Sequence, residues 1–126
     1  MIWLTRDMVE AFHRESIARF GGADGIRDEG LLLSALARAE NIYADEPEAD
    51  HYRLAAVYCA DVVKNHPFID GNKRTGILCA AVFLGLNGIE LELDERIIVN
   101  IVNNLTSREK REDWFAEWLR VAAIIR

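Results

Sequence analysis

Residues 66–76 read HPFIDGNKRTG, and the rest of this 126-residue chain can be understood around that stretch. One short loop brings together a histidine, a carboxylate, an amide and two cations, and it leads directly into an apolar run. Pro67 disfavours helical backbone angles at His66, so the helix before the loop is expected to end there. Residues 70–72 are then expected to mark the start of the next helix.

The apolar run after the loop, residues 76–86, predicts a buried central helix. It has no polar face, and a helix that is apolar all round is typical of a domain interior. Asn87 and Gly88 come next, and this pair predicts a left-handed end. We therefore expect the loop to sit on the most rigid element of the chain, with the other helices packed around it.

The rest of the chain predicts further helices, with apolar residues at helical spacing and a capping side chain at most starts. The expected starts lie at Thr5, Asp28, His51, Asp94 and Ser107. Residues 89–93 are expected to be a short extended piece. Residues 44–50, with the sequence ADEPEAD, predict a loop that is either a solvated connection or a functional flap. The chain is therefore predicted to be all-α: a compact single domain over residues 1–126, with about six helices around one buried helix.

Several side chains are predicted to serve the fold. Phe68 is expected to anchor the loop in the core, and His13, at the edge of an apolar stripe, is expected to be a structural histidine. Cys59 and Cys79 lie within apolar helical patterns and predict two buried free thiols. The residues of the third helix expected to face solvent are Arg53, Asp61 and Lys64. The apolar residues of the last helix, expected in the core, are Trp114, Phe115, Trp118, Leu119, Ala122 and Ile125.

Composition narrows the classes of function. The formal net charge is −6 at pH 7, whereas a protein that reads duplex DNA or binds a membrane surface is normally basic. We therefore expect no direct nucleic-acid partner and no membrane. Arg6 and Asp7 argue against a secretory signal, and the longest uncharged stretch, residues 75–89, is too short to span a bilayer. With two unpaired cysteines as well, the chain is expected to be cytoplasmic.

The start of the predicted central helix suits an anion. The first turn of a helix leaves backbone N–H groups unpaired, and these groups carry partial positive charge. Gly71 removes the side chain that would hold a phosphate away from the backbone, and Lys73 and Arg74 add full charges beside it. The apolar helix behind lowers the local dielectric constant and strengthens this field. The pattern predicts a local phosphate site within an acidic protein.

Asp70 and His66 add chemistry to that site. Asp70 is either an N-cap or a ligand of Mg²⁺, which binds through one or two carboxylates together with substrate phosphates. His66, aimed by Pro67, suits a general base that takes a proton from an attacking hydroxyl. The residues alone leave three interpretations open: phosphoryl-type transfer, simple anion binding and a structural capping loop.

The loop resembles the signature of the Fic/Doc superfamily, which reads HxFx[D/N][A/G]NKR in its Doc (death on curing) form, and residues 66–74 match it. The glycine pair at 21–22, the GIRD segment at 25–28 and the short six-helix layout also resemble a Doc-type chain, over essentially the whole sequence. The resemblance implies an all-α Fic/Doc fold, ATP and Mg²⁺ at the site, and the toxin of a type II toxin–antitoxin system.

The resemblance also implies a role for each matching residue. His66 corresponds to the catalytic histidine that deprotonates a target hydroxyl, and Asp70 to the acidic residue that positions Mg²⁺. Phe68 corresponds to the aromatic that fixes the loop in the core. The residues that correspond to the anion hole for the nucleotide phosphates are Gly71, Asn72, Lys73 and Arg74.

Two positions separate this chain from the AMP-transferring members of the superfamily, whose motif reads HxFx[D/E]GNGRxxR. Lys73 replaces their second glycine and takes space that nucleotide phosphates would fill, and Ile77 replaces their second arginine, a phosphate clamp. Doc-type proteins share both features. The resemblance therefore implies a kinase that binds ATP in the reverse sense, phosphorylates a threonine of elongation factor Tu and halts translation. AMP transfer and a catalytically silent binding module remain the alternatives; the acidic charge counts against a ribonuclease toxin.

The resemblance further implies how the site is controlled. Many Fic proteins carry an inhibitory [S/T]xxxE[G/N] helix, but no Ser or Thr of this chain has a glutamate four residues later. This favours inhibition by a separate antitoxin, whose disordered tail would fold on binding in an apolar groove near the loop. Residues 41–50 correspond to the flap that docks the target segment by strand-like pairing.

Overall fold

Five helices and two short strands make up the described part of the chain. The computed structural model describes residues 1–91, 96, 97, 100, 101 and 111–125. In chain order the elements are α1 (Arg6–Phe20), α2 (Glu29–Asp45), α3 (His51–Asn65), α4 (Asn72–Leu86), β1 (Ile89–Leu91), α5 (Arg111–Ala122) and β2 (Ala123–Ile125). The predicted all-α fold is confirmed. Within these ranges, every helix is too short or too polar to cross a membrane.

The helix predicted from Asp94 falls mostly outside the described residues. Of that segment, residues 96, 97, 100 and 101 are helical, and Ile101 is buried. The cap predicted at Ser107 also lies outside the described residues. The described residues therefore contain five assigned helices, whereas the sequence predicts about six.

Helix ends agree closely with the local sequence. Thr5 accepts a hydrogen bond from a first-turn N–H of α1 at 3.2 Å, Asp28 does so for α2 at 2.9 Å, and Asp50 does so for α3 at 2.8 Å. Gly21 ends α1 with a φ of 88°, and its N–H donates to the carbonyl of Ile17 at 2.8 Å. The predicted caps at Thr5 and Asp28 and the glycine stop are confirmed.

Helix α3 lies at the centre of the described helices. It packs against α2, α4 and α5, whereas α4 packs against α3, α1 and β1. Phe83 of α4 is fully buried, but Leu78 and Val82 are only half-buried. The central position predicted for residues 76–86 is therefore shared with α3, because α4 is rich in small residues that cover little apolar surface. The buried residues of α3 are Leu54, Ala55, Ala56, Val57, Tyr58, Cys59, Asp61, Val62 and Val63.

Other core predictions are confirmed. Phe115 and Leu119 of α5 are buried, and the tryptophans of that helix are half-buried. Cys59 and Cys79 are both buried, and neither forms a disulfide bond. Burial raises the pKa of the Cys79 thiol, so this thiol stays protonated at neutral pH.

Asp61 is buried, although helical spacing predicts that it faces solvent. Arg38 of α2 donates to the Asp61 carboxylate at 2.8 Å and to Glu112 of α5 at 2.9 Å. Burial raises the pKa of Asp61, and this effect outweighs the opposing one of Arg38. A buried carboxylate needs such a partner, and this one is distant in sequence, so helical spacing alone could not reveal it.

The end of the last helix differs from the prediction. Residues 123–125 leave the helix and form β2, which pairs antiparallel with β1 so that Ile89 lies opposite Ile125. The sequence instead predicts an isolated extended piece at residues 89–93 and helical spacing that continues through Ile125. The pairing wins because it satisfies backbone groups of β1 that would otherwise face solvent or the core unpaired.

The segment predicted as a loop, residues 44–50, is partly helical. The N–H of Glu46 donates to the carbonyl of Ile42 at 2.7 Å, which closes a last turn and extends α2 through Asp45. Within residues 41–50 the structure contains no strand. Arg53 and Arg120 hold what remains of the loop through their ion pairs with Glu46 and Asp50, at 3.0 Å each.

Candidate functional site

The loop begins where α3 ends, at His66. This residue adopts left-handed angles, with φ 49° and ψ 55°, because the following proline excludes helical ones. The guanidinium of Arg27 donates to the carbonyl of Asn65 at 2.9 Å and to that of His66 at 2.7 Å. It thus satisfies carbonyl groups that the end of α3 leaves open. The helix end predicted at His66 is confirmed, and Arg27 holds it.

The middle of the loop is anchored by Phe68, which is 1% exposed. Its ring stacks on that of His13 from α1, with centroids 3.8 Å apart and planes inclined by 8°. A backbone bridge joins Phe68 to Ile26, and the N–H of Ile69 donates to the carbonyl of Gly25 at 3.0 Å. Both predictions hold here: Phe68 is the anchor, and His13 is a buried histidine whose Nε2 is hydrogen-bonded to the carbonyl of Asp70.

Asn72 ties both ends of the loop together. Its Oδ1 accepts from the N–H of Phe68 at 3.0 Å, and its Nδ2 donates to the carbonyl of Phe68 at 2.9 Å. These two bonds fix the orientation of the amide, so it is also Nδ2 that lies 3.1 Å from Nδ1 of His66. Nδ1 must accept that hydrogen bond, and the neutral imidazole then carries its proton on Nε2.

Asp70 is not the N-cap of α4. Its Oδ1 accepts from the N–H of Gly71 at 2.9 Å, and its Oδ2 accepts from the N–H of Ala23 at 3.2 Å. The cap residue is Gly71, with φ 75°, and no side chain caps the helix. The carboxylate is turned towards the segment after α1, where a β-carbon on Gly22 would lie 2.7 Å from Oδ2. Glycine at position 22 therefore leaves the space in which the carboxylate sits.

The first turn of α4 faces an open pocket. Among the helices within residues 1–91, α4 alone lacks a side-chain cap. The pocket has a volume of about 290 Å³ and is lined by His66, Ile69, Asp70, Gly71, Asn72, Lys73 and Arg74. All six site residues predicted from the sequence lie together here. Their roles remain predictions.

The cations of the pocket have no acidic partner in the described part of the chain. No ion pair there involves Lys73 or Arg74, and Arg74 instead rests on the ring of Phe20, 4.4 Å from its centroid. Ile77, at the next helical turn, is 1% exposed and belongs to the core. Two positive charges and open N–H groups therefore face the pocket, and position 77 adds nothing to it.

The donor set fits a nucleotide phosphate with Mg²⁺. Each carboxylate oxygen of Asp70 accepts one backbone hydrogen bond and keeps a lone pair, and carboxylate oxygen is a ligand that Mg²⁺ prefers. The glycine cap, φ 75°, lets an anion approach the backbone at the helix start. Chemically, the site can bind a phosphate group beside an imidazole that can exchange a proton.

A larger groove of about 970 Å³ begins at His66 and runs between α2 and α3 to Glu112. Its lining is mainly polar and includes Arg38, Asp61 and Lys64. It therefore differs from the apolar groove that the sequence predicts for an antitoxin tail.

Sequence reasoning missed the supports of the loop rather than the loop itself. His13 is predicted to be structural, but nothing in the sequence indicates its partner, the carbonyl of Asp70. The contacts of Arg27 and the close approach of Gly22 to the loop were also missed. The only signal was the cluster of glycines after α1, which indicated a tight turn without showing what it packs against.

The sequence of this chain resembles those of known proteins. A model described as "Fic/DOC family" matches residues 3–84. The chain is 33% identical to "Protein kinase doc" of Escherichia phage P1 over 81 residues, which is 64% of this chain and 64%, just under two thirds, of that protein. It is 32% identical to "Toxin Doc" of Mycolicibacterium smegmatis over 110 residues, covering 81% of this chain and 85% of that protein.

Proposed function

This chain belongs to the Fic/DOC family, and from that premise we propose that it is the toxin of a toxin–antitoxin module and a protein kinase. In this proposal it transfers the γ-phosphoryl group of ATP to a threonine hydroxyl of elongation factor Tu and so inhibits translation. The name of the phage P1 relative, a protein kinase, supports the reaction class. The name of the mycobacterial relative, a toxin, supports the biological role.

One observation carries the proposal: the uncapped start of α4 opens into the pocket that also contains His66. The first turn of α4, with Lys73 and Arg74, lines that space together with His66. An electrophilic phosphate and a base can thus meet in one pocket, which is the arrangement that phosphoryl transfer requires.

Asp70 is proposed to hold Mg²⁺ through a free lone pair of its carboxylate. When bound, Mg²⁺ would neutralise phosphate charge and help orient the transferred group. The N–H groups of the first turn of α4, with Lys73 and Arg74, bind the phosphates of ATP. The apolar core behind α4 keeps the field of these charges strong.

The proposed reaction is a single displacement at phosphorus. The threonine oxygen forms a bond to the γ-phosphorus while the bond from that phosphorus to the β,γ-bridging oxygen breaks. ADP leaves with that electron pair, and the hydroxyl proton passes to a nitrogen of His66. Positive charge from Lys73 and Arg74 stabilises the oxygens of the transferred group.

The tautomer of His66 sets a condition on that step. Only an unprotonated ring nitrogen can take the proton, and in the resting ring this nitrogen is Nδ1, which accepts from Asn72 at 3.1 Å. Either the substrate hydroxyl replaces Asn72 at Nδ1, or the ring exchanges its tautomer before it reacts. Asn72 is therefore proposed to control when His66 is available as a base.

Kinase activity is favoured over AMP transfer by two positions. Lys73 lines the pocket where AMP-transferring relatives have glycine, and its side chain takes space beside the phosphate site. Ile77 is buried, so no second arginine clamp reaches the phosphates from that turn. AMP transfer remains the second candidate, because the histidine and the open helix start would serve both reactions.

Labelled ATP separates these candidates. The purified chain is incubated with elongation factor Tu and Mg²⁺, using ATP labelled at either the γ- or the α-phosphate. Label on the target from the γ-position alone is expected, and His66→Ala should lower its rate by a factor of about 10² to 10⁴. Label from the α-position alone would instead establish AMP transfer. The matched control is His51→Ala, a half-buried histidine outside the pocket.

Growth tests address the toxin role. Expression without an antitoxin is expected to stop bacterial growth, and His66→Ala is expected to be harmless at equal expression. If the wild-type chain and His66→Ala were equally harmless, a catalytically silent binding module would be the better interpretation. A cognate antitoxin is proposed to restore growth by folding a disordered tail onto the toxin.

A further inference from the structure

We infer that His13, which lies outside the signature loop, is a positioning residue for Asp70 and sets where the carboxylate meets Mg²⁺. The inference rests on the proposed function, since it concerns the same metal and phosphate site. It assigns a role in ligand binding to a histidine for which helical spacing predicts only a structural role.

The hydrogen bond of His13 has an unambiguous direction. Its Nε2 lies 2.8 Å from the main-chain oxygen of Asp70, and a carbonyl oxygen can only accept. Nε2 therefore carries a proton. Nδ1 lies 3.8 Å from Oδ1 of Asp24, which is beyond hydrogen-bond distance.

The same ring also packs against the anchor of the loop, Phe68. His13 is 1% exposed and stacks on Phe68 at 3.8 Å, so it can shift neither away from the loop nor along it without losing packing. One side chain of α1 thus contacts the anchor of the loop through its face and the metal-binding residue through its edge. Two restraints of different kind hold a segment only three residues long.

The position of the Asp70 carbonyl determines the geometry of the next peptide and of the cap. The carbonyl belongs to the peptide that links Asp70 to Gly71, and the N–H of that peptide donates to the carboxylate of Asp70. Rotation of this peptide would break the bond to Oδ1 and would also turn the cap residue of α4. Holding the carbonyl therefore fixes the carboxylate and the open helix start in one geometry, and displacements of about 1 Å are enough to weaken such a site.

Binding measurements on the full chain test the inference without relying on activity. Calorimetric titration with ATP at increasing Mg²⁺ gives the Mg²⁺ concentration for half-maximal binding. His13→Phe keeps a flat ring against Phe68 but has no donor, and should raise that concentration about tenfold. His13→Gln places an amide N–H close to the position of Nε2 and should stay within about threefold of the wild type. His51→Phe, the same exchange at a distant histidine, should leave it unchanged.

A second measurement needs no variant. The imidazole ¹⁵N spectrum of the wild-type chain is expected to show His13 protonated at Nε2, the nitrogen that faces the Asp70 carbonyl. If His13→Phe does not fold, His13→Asn replaces it, because the shorter amide does not reach the Asp70 carbonyl while His13→Gln does.

The outcomes are distinct. An unprotonated Nε2 of His13, wild-type Mg²⁺ dependence in the donor-free variant, or equal losses in the donor-free and Gln variants would each overturn the inference. The expected pattern is a higher half-maximal Mg²⁺ concentration in His13→Phe with rescue by Gln, because a purely packing role would be rescued by Phe instead. Absence of any Mg²⁺-dependent ATP binding by the wild-type chain would refute the proposed function, and this inference with it.

Discussion

Nδ2 of Asn72 donates to Nδ1 of His66 over 3.1 Å, and the same amide is locked by both main-chain groups of Phe68. The side chain that shapes the loop therefore also selects the imidazole tautomer. We expect Asn72→Asp to reverse that tautomer, because a carboxylate can only accept and would draw the proton to Nδ1. The imidazole ¹⁵N signals of His66 report the exchange directly.

The same variant should also lose stability. The carbonyl of Phe68 is left without its donor, so the free energy of unfolding is expected to fall by about 1–3 kcal/mol, as measured by denaturant titration. Asn87→Asp is the matched control, because Asn87 also donates to the carbonyl of the residue four positions before it, that of Phe83 at 2.9 Å. It should lose comparable stability and leave the His66 signals in place. An unchanged His66 tautomer in Asn72→Asp would contradict the assignment.

Adjacent glycines after α1 offer a matched pair of variants. A β-carbon on Gly22 would lie 2.7 Å from Oδ2 of Asp70, whereas one on Gly21 meets nothing within 4 Å. Both residues have positive φ, 114° and 88°, so either alanine variant carries backbone strain of about 1–2 kcal/mol. Only Gly22→Ala should also raise the Mg²⁺ concentration needed for ATP binding. Equal Mg²⁺ dependence in the two variants would show that the carboxylate of Asp70 does not bind Mg²⁺.

Restoring the arginine of AMP-transferring relatives should fail at position 77. Ile77 is 1% exposed, so Ile77→Arg would bury an unpaired guanidinium at a cost of about 3–5 kcal/mol. Ile77→Leu, which keeps an apolar side chain of equal volume, should cost less than about 1.5 kcal/mol. Denaturant unfolding of the two variants measures the difference. A stable Ile77→Arg chain that transfers AMP would mean that this turn of α4 can reorient towards the pocket.

The short loop between α2 and α3 should be held in a pH-dependent way. Burial alone would raise the pKa of Asp50, but hydrogen bonds from the Arg120 side chain and the Arg53 backbone lower it below its ordinary value of 3.8. A carboxyl group whose pKa is lower in the folded state stabilises the fold at pH values above its pKa in the unfolded chain. This contribution is lost as the pH falls through its pKa in the folded state. Arg120→Gln should therefore cost up to about 1 kcal/mol at pH 7 and less than that near pH 2.

Unfolding at the two pH values in the Arg120→Gln chain tests this directly. The control is Arg14→Gln, which removes a more exposed contact with Glu10 within α1 and should change stability little at either pH. A loss of equal size at both pH values would mean that Arg120 acts through packing and not through its charge on Asp50.

The sequence predicted the elements whose cause is local. The caps at Thr5 and Asp28 and the break at His66 each depend on a residue and its near neighbours, so reading the chain in order finds them. The predicted site residues also come from one continuous stretch, 66–74, and a continuous stretch stays together in any fold. Asp61 could not be placed, because its burial depends on Arg38 of a different helix.

The remaining errors have the same origin. The pairing of Ile89 with Ile125 joins segments far apart in the chain. The spacing of apolar residues within one segment cannot indicate such a pairing. His13 and Asp70 are likewise distant in sequence, so the histidine could be recognised as buried but not as a support of the loop. Local propensity was overridden wherever a partner from another element satisfied the group in question.

His66 is the one non-glycine residue with a positive φ in the described ranges, and that backbone angle opposes folding. Glycine would relieve about 1 kcal/mol there, so His66→Gly should unfold at higher denaturant concentration while losing the proposed phosphoryl transfer. If the chain is the toxin proposed above, the substitution that removes its proposed base also makes the folded chain more stable. Such a variant would persist in the cell and still occupy an antitoxin, so any intact copy of the toxin would be less inhibited.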